Sequence, residues 1–336
     1  MHKAYHPPYS ITSTIIRLIS DISERLGRLV VLEDENSLRL RRVNRIRTIQ
    51  GSLAIEGNIL NEEQITAILE GRRVMAPPKD IQEARNAIKA YQQLESWQPA
   101  NGQHLLDAHQ LLMAGLIDDA GHYRGANVGV MNGDVVVHMA PPASRVKKLM
   151  DDLLGWLANT DQHPLITSSV FHYEFEFIHP FADGNGRIGR LWQTLILSQW
   201  SPLLAQLPVE SMVHMQQSDY YQAINLSTQE TDSAPFIEFM LSAILAAVQS
   251  VGDNTPQVTP QVTPQVAELL AVIEGEVSRE VLQQALGLSD PKSFRKRYLK
   301  PALEAGLISM TIPDKPNSKL QQYRLTELGR ELADSL

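Results

Sequence analysis

The segment from His179 to Arg190 reads His-Pro-Phe-Ala-Asp-Gly-Asn-Gly-Arg-Ile-Gly-Arg, and it constrains the fold of this chain more than any other part. Its proline and glycines interrupt regular structure, and the apolar run 191–197 that follows predicts a buried helix beginning within the segment. A Gly-Asn-Gly turn can point successive backbone N–H groups at one anion, and the helix N-terminus adds a positive dipole end. The segment therefore predicts a loop and helix start shaped for phosphate.

Three side chains of the segment suggest chemistry on a nucleotide. Arg187 and Arg190 are three positions apart, so they share a helix face and can converge on one polyphosphate. His179 precedes the loop, where an imidazole that titrates near neutrality can exchange a proton. The alternative interpretation is a glycine turn that starts a core helix beside a structural histidine.

The segment matches the motif of the Fic family, His-x-Phe-x-Asp/Glu-Gly-Asn-Gly-Arg-x-x-Arg, at every defining position, so the chain resembles a Fic protein. The resemblance implies a mainly α fold, in which a Fic-type helical core carries a β-hairpin flap. It also implies transfer of AMP from ATP to a Ser, Thr or Tyr hydroxyl of a target protein or of the chain itself. The family also contains phosphocholine, UMP and phosphate transferases, but an intact Gly184 and Arg190 favour AMP.

For such a transfer we expect His179 to be the catalytic base and Asp183, the only carboxylate of the loop, to hold Mg²⁺ between the phosphates of ATP. Arg187 is expected to stabilise charge on the departing pyrophosphate, and Arg190 to hold the terminal phosphate. Backbone N–H groups at the following positions are expected to bind the phosphates: Gly184, Asn185 and Gly186. By the resemblance, the stretch around Tyr221 contributes to the adenine pocket.

A second family feature lies upstream, where residues 52–58 read Ser-Leu-Ala-Ile-Glu-Gly-Asn and resemble the inhibitory motif Ser/Thr-x-x-x-Glu-Gly/Asn. Ser52 and Glu56 are i,i+4 neighbours on one helix face, and Gly57 is a natural terminator. A glutamate in a last helical turn needs a compensating cation, and Arg190 is the predicted partner. The resemblance implies a class II protein inhibited in cis. In some relatives this glutamate supports removal of AMP, which is an alternative activity.

Valines flank Asn132-Gly133, a strong hairpin signal, and predict strands near Asn127–Met131 and Asp134–His138. The resemblance implies that this hairpin is the flap that aligns the target segment by strand addition. A surface hairpin without a function is the alternative. The flap valines are Val128, Val130, Val135, Val136 and Val137.

Composition narrows the class of protein. The chain of 336 residues has no cysteine, 43% hydrophobic residues and a net charge of −8. Thiolate sites are therefore excluded, and gross affinity for nucleic acid or anionic membranes is disfavoured, although local basic patches are compatible with this charge. No secretory signal pattern opens the chain, and the apolar stretch 236–251 contains Glu238, which favours a buried helix over a membrane span. We expect a cytoplasmic protein with no membrane partner.

Three tandem copies of Thr-Pro-Gln-Val mark a semi-rigid linker over residues 251–266. We therefore predict an N-terminal helical region over 1–98, a Fic core over 99–250, and a module over 267–336 made of three short helices and a hairpin. This module resembles a winged-helix α+β domain, whose third helix carries a basic stretch within residues 289–300. DNA, another protein or a second copy of the chain are its predicted alternative partners. A nucleotide-sensing DNA-binding regulator is accordingly the alternative function.

Overall fold

The computed structural model describes residues 5–31, 37–132, 135–252, 264–273, 275–288, 290–304, 306–312, 318, 321–326, 329–330 and 333. The chain divides into two compact units, Met1–Gly252 and Asp253–Leu336. The regions 1–98 and 99–250, which the sequence separates, pack together within the first unit. Most of the predicted linker, residues 253–263, lies outside the described residues.

The first unit is built almost entirely of helices, as the sequence predicts. Its elements in chain order are α1 (Ser13–Val31), α2 (Ser37–Ile55), α3 (Glu62–Leu69), α4 (Pro78–Gln92), α5 (Gly102–Met113), β1 (Gly129–Asn132), β2 (Val135–Met139), α6 (Ala143–Asn159), α7 (Pro164–Ile178), α8 (Asn185–Trp200), α9 (Val209–Met215), α10 (Gln217–Glu230) and α11 (Ala234–Gly252). Short 3₁₀ turns at Leu94–Ser96 and Pro202–Gln206 connect helices.

Helices α7 and α8 form the centre of this unit and lie on either side of the 179–184 loop. Nearly all residues of α7 are buried. Its small polar residues tolerate burial because Ser168 and Ser169 donate hydrogen bonds to the carbonyl of Leu165. The pair is thus a rigid core that fixes both ends of the loop.

The N-terminal helices pack directly on this core. Helix α1 contacts α11, and α2 contacts α9. A Cβ built on Gly51 would lie 2.6 Å from the backbone nitrogen of Ser211, so only glycine permits this approach of α2 to α9. The close approach places the C-terminal turn of α2, which carries Ser52, beside the N-terminal half of α8.

Helix α11 is the most apolar element of the unit. Among the described helices, it alone is long and apolar enough over Ala234–Val251 to cross a membrane by length and composition, and half of that window is buried. Phe236, Ile237, Leu241 and Ile244 are fully buried in the core. The helix therefore serves as a core element of this unit.

Strands β1 and β2 pair as an antiparallel hairpin, with Asn132 opposite Val135 and Gly129 opposite Met139. Each strand is displaced by one or two residues from its predicted bounds. The register shifts between Val130 and Met131, so β2 carries an extra residue at Val137. Asn132, the first residue of the predicted turn, ends β1 instead, while Gly133 and Asp134 lie outside the described residues.

The second unit has its own apolar core and a small sheet. Its described elements are α12 (Pro264–Ala271), β3 (Val277–Ser278), α13 (Arg279–Ala285), α14 (Pro291–Phe294), a π-helical turn (Arg295–Leu299), α15 (Lys300–Glu304), β4 (Ile308–Met310) and β5 (Gln322–Leu325). The strands are antiparallel in the order β3-β5-β4. The predicted hairpin is therefore part of a three-stranded sheet, because Val277–Ser278 is too short to be recognised by alternation. Ser289, the first residue of the predicted basic segment, and residues 313–317, between β4 and β5, lie outside the described residues.

Candidate active site

The end of α7 places the imidazole of His179. The backbone of His179 has φ 49° and ψ 62°, a left-handed conformation that is uncommon for a residue other than glycine. Its N–H still donates to the carbonyl of Phe175 at 2.9 Å, which closes the last helical turn. Pro180 cannot continue the helix, so the chain turns away immediately after the histidine.

The loop after His179 is held by one side-chain amide. The Oδ1 of Asn185 accepts from the N–H of Phe181 at 2.9 Å, and its Nδ2 donates to the carbonyl of Phe181 at 3.0 Å. Phe181 is completely buried, and its ring stacks on that of His109 at 3.7 Å and 4°. The buried side chain of Asn185 thus fixes the bend, while its backbone begins α8.

Helix α8 begins with free capacity for an anion. Gly184 precedes it with φ 81°, and no side chain caps the first turn. The first backbone N–H groups of a helix have no partner within the helix, so they attract negative charge. The predicted phosphate donors Gly184, Asn185 and Gly186 all lie at this start, where the N–H of Gly184 already donates to Oδ1 of Asp183 at 2.6 Å. Gly186 also lies against the carboxylate of Glu56.

Arg190 is occupied by the predicted inhibitory stretch. Its Nη2 donates to Oε1 of Glu56 at 2.6 Å and to the carbonyl of Ser52 at 3.0 Å, and its Nε donates to Oγ of Ser52 at 3.1 Å. The Arg190 side chain is 2% exposed. Burial disfavours the charged guanidinium, but the attraction of Glu56 outweighs it and raises the pKa of Arg190. Gly57 terminates α2 with φ 87°.

Arg187 has different anionic partners from Arg190. Its Nη2 lies 3.2 Å from Oδ1 of Asp183, the predicted Mg²⁺ ligand, which is half exposed. Its Nη1 donates to Oε1 of Glu83 on α4 at 3.1 Å, and both of these side chains are buried. Glu83 is a contact that the sequence does not reveal, because it lies 104 residues from Arg187.

Two further residues support the loop and are not among the predicted site residues. Arg124 donates to the carbonyls of His179, Ala126, Pro141 and Ile178 at distances of 2.6–3.3 Å. His109 accepts from the N–H of Gly121 through Nδ1 and donates to the carbonyl of Asp183 through Nε2. Burial lowers the pKa of His109 to about 4, so it is neutral near pH 7. Its position on the apolar face of α5 is the sequence signal for this structural role.

A second carboxylate lies close to Arg190. Burial is the main cause that raises the pKa of Glu176 to about 7. The positive charge of Arg190 opposes this rise, and the negative charge of Glu56 adds to it. The neighbouring His172 is neutral because burial lowers its pKa to about 3, while Gln193 and Tyr220 contact its two ring nitrogens. The sequence assigns no function to this pair.

A groove of about 560 Å³ opens along α10 and is lined by Gln217, Ser218, Tyr221, Gln222 and Asn225. Gln217 donates to the carbonyl of Ile55 at 2.8 Å, so the groove adjoins the end of α2. It contains Tyr221, which the resemblance assigns to the adenine pocket. Among the described residues no cluster of side chains suits a metal ion by itself.

The predicted flap residues lie in and before the hairpin. Val128 is half-buried just ahead of β1, Val130 lies in β1, and the remaining three valines lie in β2. Arg124 bonds to the carbonyl of Pro141, which follows β2, and to that of His179. The base of the hairpin is therefore tied to the end of α7.

Comparison with known proteins supplies the family. Residues 99–197 match the Fic/DOC family, and residues 264–326 match the C-terminal domain of Fic-like proteins, named for filamentation induced by cAMP. The chain is 28% identical over 207 residues to a protein adenylyltransferase Fic of Nematostella vectensis, covering 57% of this chain and 45% of that relative. It is 26% identical over 259 residues to protein adenylyltransferase fic-1 of Caenorhabditis elegans, covering 71% and 47%. The chain thus spans about half the length of these curated relatives.

Solved structures extend the likeness to nearly the whole chain. A Fic family protein from Desulfovibrio desulfuricans G20 is 54% identical, with a TM-score of 0.74 and coverage of 96% of this chain and 99% of that one. Fic-1 from C. elegans shares the fold at 21% identity, with a TM-score of 0.59 and coverage of 71% and 72%. Together with the intact motif and its geometry, this likeness shows that the chain belongs to the Fic family.

Proposed function

We propose that this chain is a protein adenylyltransferase, which transfers AMP from ATP to a Ser, Thr or Tyr hydroxyl of a target protein or of itself. The observation that carries the proposal is the geometry of the loop. One bend, held by the Asn185 amide on Phe181, joins the His179 turn to the uncapped start of α8. The curated relatives named above are called protein adenylyltransferases, which agrees with this geometry.

In the proposed reaction His179 accepts the proton of the incoming hydroxyl. The hydroxyl oxygen forms a bond to the α-phosphorus of ATP, and the bond from that phosphorus to the bridging oxygen of the β-phosphate breaks. Pyrophosphate leaves with the electron pair, and Arg187 stabilises its growing negative charge. Backbone N–H groups at the start of α8 hold the phosphates in line.

Mg²⁺ is expected to accompany ATP in this site. The carboxylate of Asp183 is half exposed at the loop, beside the open start of α8, and its oxygens suit a hard cation. A bound ion would neutralise phosphate charge. Asp183 would supply its protein ligand, and its contact with Arg187 would then loosen.

The state described is proposed to be the inhibited one. Arg190, which would hold the terminal phosphate, is bonded to Ser52 and Glu56 and is buried. A phosphate would have to compete with this carboxylate for the guanidinium. Glu56 lies N-terminal to the core in the same chain, so the inhibition acts in cis.

Labelling with a fluorescent ATP analogue tests both parts of the proposal. We expect weak labelling of protein by the wild-type chain, strong labelling by Glu56→Gly and none by His179→Ala. Glu95→Gly is the matched control, since it makes the same change at an exposed position, and should behave as wild type. Equal labelling by all four proteins would contradict both the catalytic and the inhibitory assignment.

The hairpin is proposed to dock the segment that carries the target hydroxyl. The described part of this sheet has two strands, so its outer edges are open to an extended peptide. A proline at Val136 removes a backbone N–H from β2 and should lower target labelling by Glu56→Gly while leaving ATP affinity within twofold. An unchanged rate of target labelling would count against docking at this hairpin.

DNA is a second candidate ligand of the chain, and the second unit is proposed to bind it. Arg295, Arg297 and Lys300 are exposed within the segment that follows Pro291, and a winged-helix module commonly places this element in a major groove. We expect the full chain to bind duplex DNA with a salt-dependent affinity that falls at least tenfold when all three become alanine. Replacing Arg17 and Arg28, which are exposed on α1, is the control. If DNA does not bind, sedimentation of wild type and triple variant tests the alternative of dimerisation.

A further inference from the structure

Glu83 is a buried carboxylate that no motif of the chain includes. It lies on α4 with its side chain 7% exposed. Its Oε1 accepts from Nη1 of Arg187 at 3.1 Å, and its Oε2 accepts from Nδ2 of Asn58 at 2.9 Å. One carboxyl group thus contacts both the Fic motif and the inhibitory segment, which are far apart in the sequence.

The contact with Arg187 decides where that guanidinium points. The Arg187 side chain is 5% exposed, and its Nε has no hydrogen-bond partner among the described residues. Its other anionic partner, Asp183, is half exposed and also accepts from the N–H of Gly184. If Asp183 binds a cation and leaves Arg187, Glu83 remains as the buried anion that fixes the Arg187 guanidinium. Removing one partner of a buried ion pair leaves the other charge uncompensated.

The contact with Asn58 fixes the end of the inhibitory turn. Asn58 lies two residues after Glu56, and its N–H donates to the carbonyl of Leu53 at 3.2 Å. Its Oδ1 accepts from the N–H of Leu60 at 3.0 Å, so its amide cannot reverse without losing that bond. The Nδ2 group must therefore face Glu83, and it bonds to the carbonyl of Asp80 as well.

We propose that Glu83 is a positioning residue with two separable effects on AMP transfer. Through Arg187 it orients the charge that stabilises the leaving pyrophosphate, and through Asn58 it holds the turn that presents Glu56 to Arg190. The inference rests on the proposed adenylyltransferase function. It assigns opposite consequences to the two contacts, because loss of the first slows the reaction and loss of the second relieves inhibition.

The first contact is tested by Glu83→Gln in the Glu56→Gly background. Arg187 and Asn58 both donate to Glu83, whereas a glutamine has only one accepting oxygen, so it can satisfy only one of them. We expect kcat to fall about tenfold or more with KM for ATP changed less than threefold, since the contact acts on the transition state. Lys79→Ala is the control, because Lys79 lies 3.9 Å from Glu83 but is exposed; it should leave kcat unchanged.

The second contact is tested by Asn58→Ala in the wild-type chain. We expect labelling to rise about threefold to tenfold, because the inhibitory turn loses its anchor, and we expect no further rise when Glu56 is already glycine. Thermal unfolding of each variant shows whether it is folded at the assay temperature. If Glu83→Gln is unfolded there, Glu83→Asp replaces it in the kcat measurement, because it keeps both accepting oxygens but withdraws them from Arg187, and the same fall in kcat is expected. Asn58→Ala decides the inhibitory role in either case.

The outcomes separate this inference from the function on which it rests. If Glu56→Gly fails to label protein, the proposed function falls and the role of Glu83 falls with it. Suppose that Glu56→Gly labels strongly but that adding Glu83→Gln leaves kcat unchanged. Only the Arg187 role is then overturned. The same conclusion follows if Glu83→Gln raises KM and lowers kcat in proportion to a loss of stability. Unchanged labelling by Asn58→Ala overturns the inhibitory role.

Discussion

The Nε of Arg124 donates to the backbone carbonyl of His179 at 2.7 Å, so a buried arginine caps the helix that ends at the proposed catalytic base. The same guanidinium reaches the carbonyls of Ala126 and Pro141. Carbonyls at a helix C-terminus have no partner within the helix, and a cation there also opposes the negative end of the dipole. Arg124 therefore satisfies the end of α7 and joins it to the base of the hairpin.

Replacing Arg124 with alanine should lower the free energy of unfolding by about 2–4 kcal/mol, because several buried carbonyls lose their donor at once. It should also slow labelling in the Glu56→Gly background at least tenfold, since the backbone of His179 loses its support. Urea denaturation and single-turnover labelling measure the two effects. Lysine at this position should rescue little, because it lacks the planar fork of donors.

Arg145→Ala is the matched control for this prediction, since Arg145 is exposed at the start of α6. It should change the free energy of unfolding by less than about 0.5 kcal/mol. Equal effects of the two alanine variants would show that the carbonyl network of Arg124 is not important for the site.

Replacing Asn185 tests whether the geometry of the loop determines the affinity for the phosphates of ATP. Asn185→Asp keeps the acceptor for the N–H of Phe181 but loses the donor to its carbonyl and adds a negative charge at the start of α8. We expect a loss of about 1–3 kcal/mol in the free energy of unfolding. We also expect the affinity for ATP to fall at least tenfold, measured by calorimetry in the Glu56→Gly background.

Asn101→Ala provides the comparison for Asn185. Asn101 caps α5 by accepting from the N–H groups of Gln103 and His104, so its loss should cost about 1 kcal/mol of stability. Its affinity for ATP should not change. A loss of ATP affinity in both variants would mean that the effect at Asn185 follows from stability alone.

The sequence predicted the helical class, the hairpin and the pairing partner of Glu56 because each depends on local spacing or on an intact motif. Ser52 and Glu56 are one helical turn apart, and Arg190 lies in the motif that the family resemblance identifies. The flanking valines and the Asn132-Gly133 pair similarly located the strands of the hairpin to within two residues.

The contacts of Glu83 and Arg124 could not be predicted in this way. Glu83 on α4 looks like any surface glutamate, and its burial depends on how α4 packs beside the motif. Arg124 follows a loop with no periodicity, and it bonds to backbone carbonyls, which have no sequence signature. The two-residue strand β3 was missed because its pairing with β5 is set by tertiary packing.

Gly184 should tolerate no side chain. Its φ of 81° disfavours any other residue, and a Cβ would lie 2.6 Å from Sδ of Met113. We expect Gly184→Ala to lower the free energy of unfolding by about 2 kcal/mol or more, measured by urea denaturation. Gly115→Ala has a similar φ of 72° and open space around it, so it should cost only about 1 kcal/mol of backbone strain. Similar losses would exclude a contribution from Met113.

The stability of the fold should depend on pH through Glu176. Its pKa rises from 4.5 in the unfolded chain to about 7 in the folded one because burial disfavours the carboxylate. Between these values the folded state binds the proton more tightly, so Glu176 contributes less stability as pH rises from about 5 to 7. Glu176→Gln removes this dependence. Relative to wild type, its free energy of unfolding should therefore grow by about 2 kcal/mol between pH 5 and pH 8.

Glu174→Gln distinguishes the pH dependence caused by Glu176 from that caused by Glu174, another buried carboxylate of α7. Burial raises the pKa of Glu174 to about 6, opposed by the hydrogen bond from Tyr5. The advantage of Glu174→Gln over wild type should stop growing near pH 6, whereas that of Glu176→Gln should continue to pH 7. Urea denaturation at half-unit pH steps measures both curves. A flat difference between Glu176→Gln and wild type above pH 6 would show that Glu176 is already ionised there and that burial beside Arg190 does not hold its proton.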